Sequence, residues 1–147
     1  MPGKRKARPR VVIDTNVLVA GTAGFREPFR QGRNASVDLL RGWAEEQNFV
    51  WLVTEEILNE YKEVLKRCGV RSATIGTVIN LIRERAEAVT VRASAGISPD
   101  PKDDAFCDCA QQGNASFMVT LNLRDFPQHR LEAKVVLPEV FECPSKK

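Results

Sequence analysis

Short apolar runs alternate with longer amphipathic stretches along most of the chain. Five of the runs have the length of strands, at about residues 10–14, 49–53, 89–91, 116–120 and 133–137. Short apolar runs bounded by polar residues are typical of buried strands in a parallel sheet. The first run carries three consecutive apolar residues and then ends on Asp14.

Helical periodicity fills the stretches between these runs. The predicted helices cover about residues 35–46, 55–67, 72–87 and 100–113. In the first helix Val37, Leu40, Trp43 and Ala44 share one face, and Thr54 is a good N-cap for the second. This alternation predicts an α/β fold with a mainly parallel central sheet.

A chain of 147 residues has the length of one domain. We predict a disordered basic tail at 1–9, a folded domain at 10–142 and a short tail at 143–147. The net charge is +3, but seven of the basic side chains lie in the first ten and last two residues. Without them, 15 basic side chains face 19 acidic ones. A uniformly basic body would indicate docking on nucleic acid, so the excess of acids in this body needs its own explanation.

The apolar run after the basic start is too short for a signal peptide, and no stretch approaches the ~18 apolar residues of a membrane span. Cys68, Cys107, Cys109 and Cys143 form no CxxC pair and have no histidine nearby. This spacing argues against a zinc site. We therefore expect a cytoplasmic protein with reduced thiols and no membrane association.

Acidic residues are the candidates for chemistry, and the first two are Asp14 and Glu60. Asp14 ends a predicted strand, where open α/β sheets bind ligands, with Thr15 and Asn16 beside it. Glu60 lies at the border of the apolar stripe of its helix. Two plainer interpretations stay open. Asp14 could only cap the next turn, and Glu60 could be a surface acid that pairs with a neighbouring lysine.

Asp103 is the third candidate. It lies one turn before the apolar positions within 106–110, and on a helical wheel it shares their buried face. Asp104 and Asp108 are predicted to face away from that side. A carboxylate on a buried face must be paired, hydrogen-bonded or bound to a metal. Alternatively, Asp103 caps the helix through backbone N–H groups.

Asp125 is the fourth candidate, and it follows the strand that ends at Thr120, with Asn122 between them. Four carboxylates near one edge of the sheet repel one another, and a divalent cation relieves that repulsion. Oxygen ligands select Mg²⁺ or Mn²⁺, and such a centre suits phosphodiester hydrolysis. The only histidine, His129, follows Pro127 in an apparent loop, and we interpret it as a surface residue.

Four segments together resemble the motifs of PIN-domain nucleases. They are Ile13–Val19, Thr54–Glu60, Asp100–Asp104 and Val119–Phe126. The resemblance runs in order from residue 11 to about residue 142. It implies a three-layer α/β/α sandwich and Mg²⁺- or Mn²⁺-dependent cleavage of RNA. Within the family the chain looks most similar to toxins of VapBC-like toxin–antitoxin pairs, which commonly form homodimers and are silenced by a small antitoxin protein.

The resemblance also assigns residues to roles. The acidic motif positions, which hold the metal and serve catalysis, fall on Asp14, Glu60, Asp103 and Asp125, and the polar residues beside them are Thr15, Asn16 and Thr120. The chain departs from the pattern at Asn122, where many relatives have an aspartate. A PIN-like module that binds RNA or protein without cutting therefore stays an alternative. A haloacid-dehalogenase-type phosphotransferase is another alternative that begins with an aspartate at a strand end. Its chemistry needs a second aspartate at the position of Asn16, which argues against this class.

The segment from Gly21 to Arg33 is a candidate for holding the RNA. Its Arg26, Arg30 and Arg33 alternate with two phenylalanines. Arginines and aromatic rings together bind single-stranded nucleic acid through phosphate contacts and base stacking. Alternatively, the rings pack into the core or a dimer face and the arginines are solvated. The basic tail is a second candidate, for sequence-independent attraction.

Overall fold

A computed structural model of the protein describes residues 8–22, 34–93, 96–97 and 100–141. The strands are β1 (Arg10–Ile13), β2 (Val50–Val53), β3 (Glu87–Ala88), β4 (Phe117–Val119) and β5 (Lys134–Val136). The helices are α1 (Thr15–Gly21), α2 (Ala35–Glu46), α3 (Glu55–Arg67), α4 (Ser72–Arg85) and α5 (Pro101–Gln112). Two 3₁₀ turns, Leu123–Asp125 and Gln128–Arg130, connect β4 to β5. The candidate RNA contacts Arg26, Arg30 and Arg33, most of the basic tail and the end of the chain lie outside the described residues.

The five strands form one sheet in the order β3-β2-β1-β4-β5, and every neighbouring pair is parallel. From β1 the chain first moves outward to β2 and β3, and α5 then carries it back across to β4. The direction of winding therefore reverses between β1 and β4. Such a switch point opens a crevice at the carboxyl ends of the two strands, where ligands bind in folds of this class.

Helices cover both faces of the sheet. On one face the ring of Trp51 in β2 contacts Trp43 of α2 and Tyr61 of α3, with centroids 4.7 Å and 6.2 Å away. The next residue, Leu52, points to the opposite face, as neighbours in a strand do, and lies near Gly113 at the end of α5. The predicted α/β/α sandwich with a parallel sheet is thus confirmed.

The N-cap predicted at Thr54 sets the start of α3. The Thr54 hydroxyl accepts a hydrogen bond from the Ile57 N–H at 3.0 Å and starts α3. The third strand was predicted at residues 89–91, but it forms at Glu87–Ala88. Because α4 ends at Arg85, the chain is extended earlier than its apolar residues suggest. The Arg10 guanidinium also binds both carboxylate oxygens of Glu87, at 3.0 and 2.7 Å, and so holds β3 by a polar contact.

The buried face of α2 differs in detail from the apolar face predicted from the sequence. Ser36 and Leu39 are buried together with Leu40, whereas Val37 is only half-buried. The cause is a close approach of the two helices at Gly21. A Cβ atom on this glycine would lie 2.5 Å from the Ser36 carbonyl oxygen.

No helix in the described ranges is long and apolar enough to cross a membrane.

Candidate active site

Asp14 lies at the switch point, at the carboxyl end of β1. Its backbone N–H donates to the Val119 carbonyl at 2.9 Å and extends the contact with β4. One carboxylate oxygen accepts from the Thr15 N–H at 2.8 Å, and the other accepts from the Thr120 hydroxyl at 2.7 Å. Asp14 is therefore the N-cap of α1, but capping uses only one of its oxygens. The second oxygen is held by Thr120, the residue directly after β4.

The surroundings of Asp14 oppose its negative charge. The residue is 6% exposed, and burial raises the pKa of its carboxyl group. The hydrogen bonds from Thr120 and Thr15 lower that pKa, while the charges of Asp125 and Glu60 raise it again. Because the net direction is upward, the folded chain favours the protonated acid more than water does. A cation at this position would reverse that preference.

Thr15 and Asn16 directly follow Asp14 and lie at the start of α1. The Thr15 side-chain oxygen is buried and has no hydrogen-bond partner among the described residues. The Asn16 side-chain oxygen accepts a long hydrogen bond, 3.4 Å, from the Leu121 N–H. Buried polar atoms are rarely left without a partner. The vicinity of Asp14 thus has the capacity to bind a further polar ligand.

Helix α3 brings Glu60 to the same region. Glu60 is half-buried, and its neighbour Tyr61 is fully buried. The Tyr61 hydroxyl donates to the Ile13 carbonyl at 2.6 Å and accepts from the Trp51 indole N–H at 3.3 Å. This contact ties α3 to the last residue of β1, directly before Asp14. It explains why the charge of Glu60 acts on Asp14 although the two lie far apart in sequence.

Asp103 lies in the first turn of α5 and is half-buried. Burial is the largest cause of a pKa raised to about 6 from the ordinary value of 3.8. The remaining causes are four acidic neighbours, namely Asp100, Asp125, Asp14 and Glu60. The charges of the other three candidate acids thus act on Asp103, and we call Asp14, Glu60, Asp103 and Asp125 the acidic cluster.

The prediction that Asp104 and Asp108 face solvent is wrong. Asp104 is 8% exposed and Asp108 is 5% exposed, so both are more buried than Asp103. The wheel assumed a single covered side, but α5 packs against both β1 and α3, and Phe126 from the loop after β4 covers it further. A helix covered from several directions buries polar positions as well as apolar ones.

The loop after β4 is tied together around Asn122. The Asn122 side-chain amide donates to the Asp125 carboxylate at 3.1 Å, and its oxygen accepts from the Arg124 N–H at 3.3 Å. Its backbone N–H donates to the Thr120 hydroxyl oxygen at 3.1 Å. Asn122 therefore orients Asp125 and Thr120, which in turn binds Asp14. A neutral residue here adds no charge to the cluster, but it positions Asp125 directly and Asp14 through Thr120.

A pocket of about 460 Å³ opens beside the cluster. Its lining residues are Ile97, Asp100, Asp103, Arg124, Asp125, Pro127, His129 and Arg130. His129 is exposed, as predicted, yet it is part of this pocket. Sequence reasoning missed Asp100, Arg124 and Arg130. The available signal was that Asp100 and Arg124 lie in the segments that resemble PIN motifs, close in sequence to Asp103 and Asp125.

The donor set fits a hydrated Mg²⁺ or Mn²⁺ ion. Every candidate ligand is an oxygen, and burial together with neighbouring acids raises the pKa of Asp14 and of Asp103, so a cation would be favourable at both carboxylates. Within the described ranges, no three acidic, histidine or cysteine side chains converge closely enough to enclose an ion. Mg²⁺ does not require that, since it usually keeps several waters and binds one or two carboxylates. Zinc chemistry is not indicated, because Cys68, Cys107 and Cys109 are free thiols and burial raises the pKa of the last two to about 12.

Comparison with known sequences identifies the family. A sequence model of the PIN domain matches residues 10–124, which include β1 to β4 and most of the acidic cluster. The chain belongs to the PIN-domain family. PIN domains are generally nucleases and typically use divalent metal ions. No protein of curated function matches the sequence.

A solved structure supports the fold independently. One chain of the crystal structure of VapBC2 from Rickettsia felis, which is bound to a DNA fragment from the VapBC2 promoter, aligns with this chain. The TM-score is 0.54 and the sequence identity is 13%. The alignment covers 86% of this chain and 96% of the other. At such low identity the likeness shows a shared PIN-like fold. The roles of individual residues must come from the geometry of this chain.

Proposed function

We propose that this PIN domain is a Mg²⁺- or Mn²⁺-dependent endoribonuclease and the toxin of a toxin–antitoxin pair. The observation that carries the proposal is the fixed position of Asp14. It lies at the switch point with both oxygens oriented by hydrogen bonds, and the charges of Asp125 and Glu60 act on it. An acid held in this way at such cost is better explained by a cation than by a helix cap alone.

In this proposal Asp14, Glu60, Asp103 and Asp125 hold the metal ion directly or through water. A bound ion would help to generate hydroxide from water and stabilise the leaving oxygen of the phosphodiester. Thr120 and Thr15 keep the Asp14 carboxylate in one orientation. Asn122 does the same for Asp125 through its amide, which supports activity despite the absence of an aspartate at that position.

The toxin role, the RNA substrate and the cytoplasmic location extend the proposal beyond the site. The similar fold of the Rickettsia felis VapBC2 chain supports an antitoxin partner. We propose that an antitoxin binds this chain and that two copies form a homodimer, as the resemblance to VapBC-like toxins implies. Co-purification with the product of a neighbouring gene, followed by mass measurement of the complex, tests both partners.

The central experiment measures cleavage of a panel of RNAs with Mg²⁺, Mn²⁺ or EDTA. We expect cleavage with either metal and none in EDTA. Asp14→Asn should reduce the rate by about 100-fold or more, because electrostatic groups at a reaction centre contribute on this scale. Glu60→Gln should also reduce it, whereas Glu63→Gln, an exposed acid on the same helix, should not. Cleavage that persists in EDTA would refute the metal-dependent mechanism.

A non-catalytic PIN module is the second candidate. It is favoured by the neutral Asn122 and by the lack of three converging ligands among the described residues. A thermal shift separates the two functions. A nuclease centre should be stabilised by Mn²⁺ in the wild type and much less in Asp14→Asn, because ligand binding to the folded state raises its stability. A non-catalytic module should show no shift in either protein.

A further inference from the structure

The pocket beside the acidic cluster is lined by side chains of both charges. Asp100, Asp103 and Asp125 contribute carboxylates, and Arg124 and Arg130 contribute guanidinium groups. A polyanion that approaches the acids is repelled until a metal ion binds. The two arginines are the cations of this pocket that can attract it. We call the pocket residues Arg124, His129 and Arg130 the basic wall.

The basic wall is held in place by the chain around it. Phe126 is buried and packs edge-on against Phe106 of α5, with centroids 6.5 Å apart. The Gln128 side chain donates to the Ala133 carbonyl at 2.8 Å and accepts from the Val135 N–H at 2.7 Å. These contacts hold the two 3₁₀ turns against α5 on one side and against β5 on the other. The side chains of the basic wall thus project from a positioned backbone.

The guanidinium groups remain available for a ligand. Arg130 donates one hydrogen bond, to the Ile97 carbonyl at 2.8 Å, and a guanidinium has five N–H donors in all. Within the described part of the chain, neither Arg124 nor Arg130 forms an ion pair. Arginines that line a pocket with carboxylates and yet bind none of them are placed to contact an anion from outside.

We propose that Arg124 and Arg130 hold a phosphate of single-stranded RNA next to the one at the acidic cluster. The inference rests on the proposed ribonuclease function and adds the residues that grip the substrate. Bidentate N–H donors suit a phosphate group. His129, which lines the same pocket, adds a further N–H donor. The phosphate contact carries no base specificity, because it positions the strand without reading its sequence.

Binding of a short fluorescein-labelled oligouridine, measured by anisotropy in EDTA, tests the proposal without cleavage. The double variant Arg124→Gln/Arg130→Gln should bind about tenfold more weakly at low salt. The slope of log affinity against log salt should fall by about 1.4, at ~0.7 per lost contact to a single strand. With Mn²⁺, KM should rise more than kcat falls, since a remote phosphate contact stabilises substrate and transition state alike.

Two further variants control for charge and folding. Arg67→Gln removes an exposed arginine at the end of α3 and should leave the salt slope unchanged. Arg130→Lys keeps the charge and should keep most of the slope. A double variant with the wild-type slope would overturn the proposal. An acidic peptide serves as a second ligand in the same assay. The proposal would also be overturned if the double variant kept RNA binding but lost binding of this peptide, because the basic wall would then contact a protein.

Failure of this proposal can be distinguished from failure of the proposed function. A protein that cuts no RNA, yet loses salt-dependent binding in the double variant, supports the basic wall and refutes the nuclease. A protein that cuts RNA with an unchanged KM in the double variant supports the nuclease and refutes the basic wall.

Discussion

Replacement of Asp103 by asparagine should stabilise the metal-free protein at neutral pH. Burial and four acidic neighbours raise the pKa of Asp103 to about 6 from 3.8. Between these two values the folded chain binds more protons than the unfolded chain. The free energy of unfolding therefore falls as pH rises through this window, and the loss is complete above pH ~6. Asp103→Asn removes the charge and with it this loss.

The size of the effect follows from the pKa and from exposure. A rise of about two units corresponds to ~3 kcal/mol for a group shielded from water. Asp103 is only half-buried, and screening by solvent reduces the expected gain to about 1 kcal/mol. The amino-terminal dipole of α5 favours the charge and offsets a further ~0.3–1 kcal/mol. The net gain is then about 0.5 kcal/mol, and we expect the melting temperature to rise by about 2 °C at pH 7.5 and to stay unchanged at pH 4.

The assay is thermal unfolding followed by circular dichroism, in EDTA and in excess Mg²⁺. Mg²⁺ should remove the advantage of the variant, because the ion neutralises the same repulsion in the wild type. The matched control is Glu56→Gln, an exposed acid in the first turn of α3 with the same relation to a helix dipole. It should lower stability slightly at pH 7.5. If Asp103→Asn behaved like this control at both pH values, Asp103 would be a helix-capping acid outside any cluster.

Two further substitutions test the framework that positions the site. Gly21→Ala should lower the free energy of unfolding by about 1–3 kcal/mol in thermal unfolding, because the new Cβ would lie 2.5 Å from the Ser36 carbonyl oxygen. Gly76→Ala, on an open helix surface, should instead raise stability by up to ~1 kcal/mol. Equal effects of the two substitutions would refute the close contact between the helices. Tyr61→Phe should cost about 1–3 kcal/mol in urea unfolding, since the Ile13 carbonyl loses its buried donor, and an unchanged midpoint would show that this bond is unimportant.

The features predicted correctly from the sequence are those that depend on neighbouring residues. A run of apolar residues that ends on an acid placed Asp14 at the end of β1, and Thr54 marked the start of α3. Parallel pairing then brings β1 and β4 to the same level, so Thr120 arrives beside Asp14. The helical wheel placed Asp103 on the buried face of α5, but the structure leaves it half-buried and buries Asp104 and Asp108 more deeply.

What could not be predicted depends on contacts between segments far apart in the chain. The hydrogen bond from Tyr61 to Ile13 joins residues 48 positions apart, and no periodicity in α3 distinguishes this tyrosine from an ordinary core residue. His129 was interpreted as a surface residue and Arg130 was not singled out, because nothing near them in sequence indicates a pocket. They line one only because Phe126 and Gln128 anchor the loop on both sides.

The error at Asp104 and Asp108 bears on how the cluster is to be tested. A helical wheel assigns one buried and one exposed side, which is valid for a helix that lies on a surface. Helix α5 instead meets the sheet, α3 and the loop after β4, so Asp104 and Asp108 are buried as well. Loss of stability on substitution of either residue therefore says nothing about catalysis. Only exposed acids such as Glu56 and Glu63 can serve as controls for the candidate metal ligands.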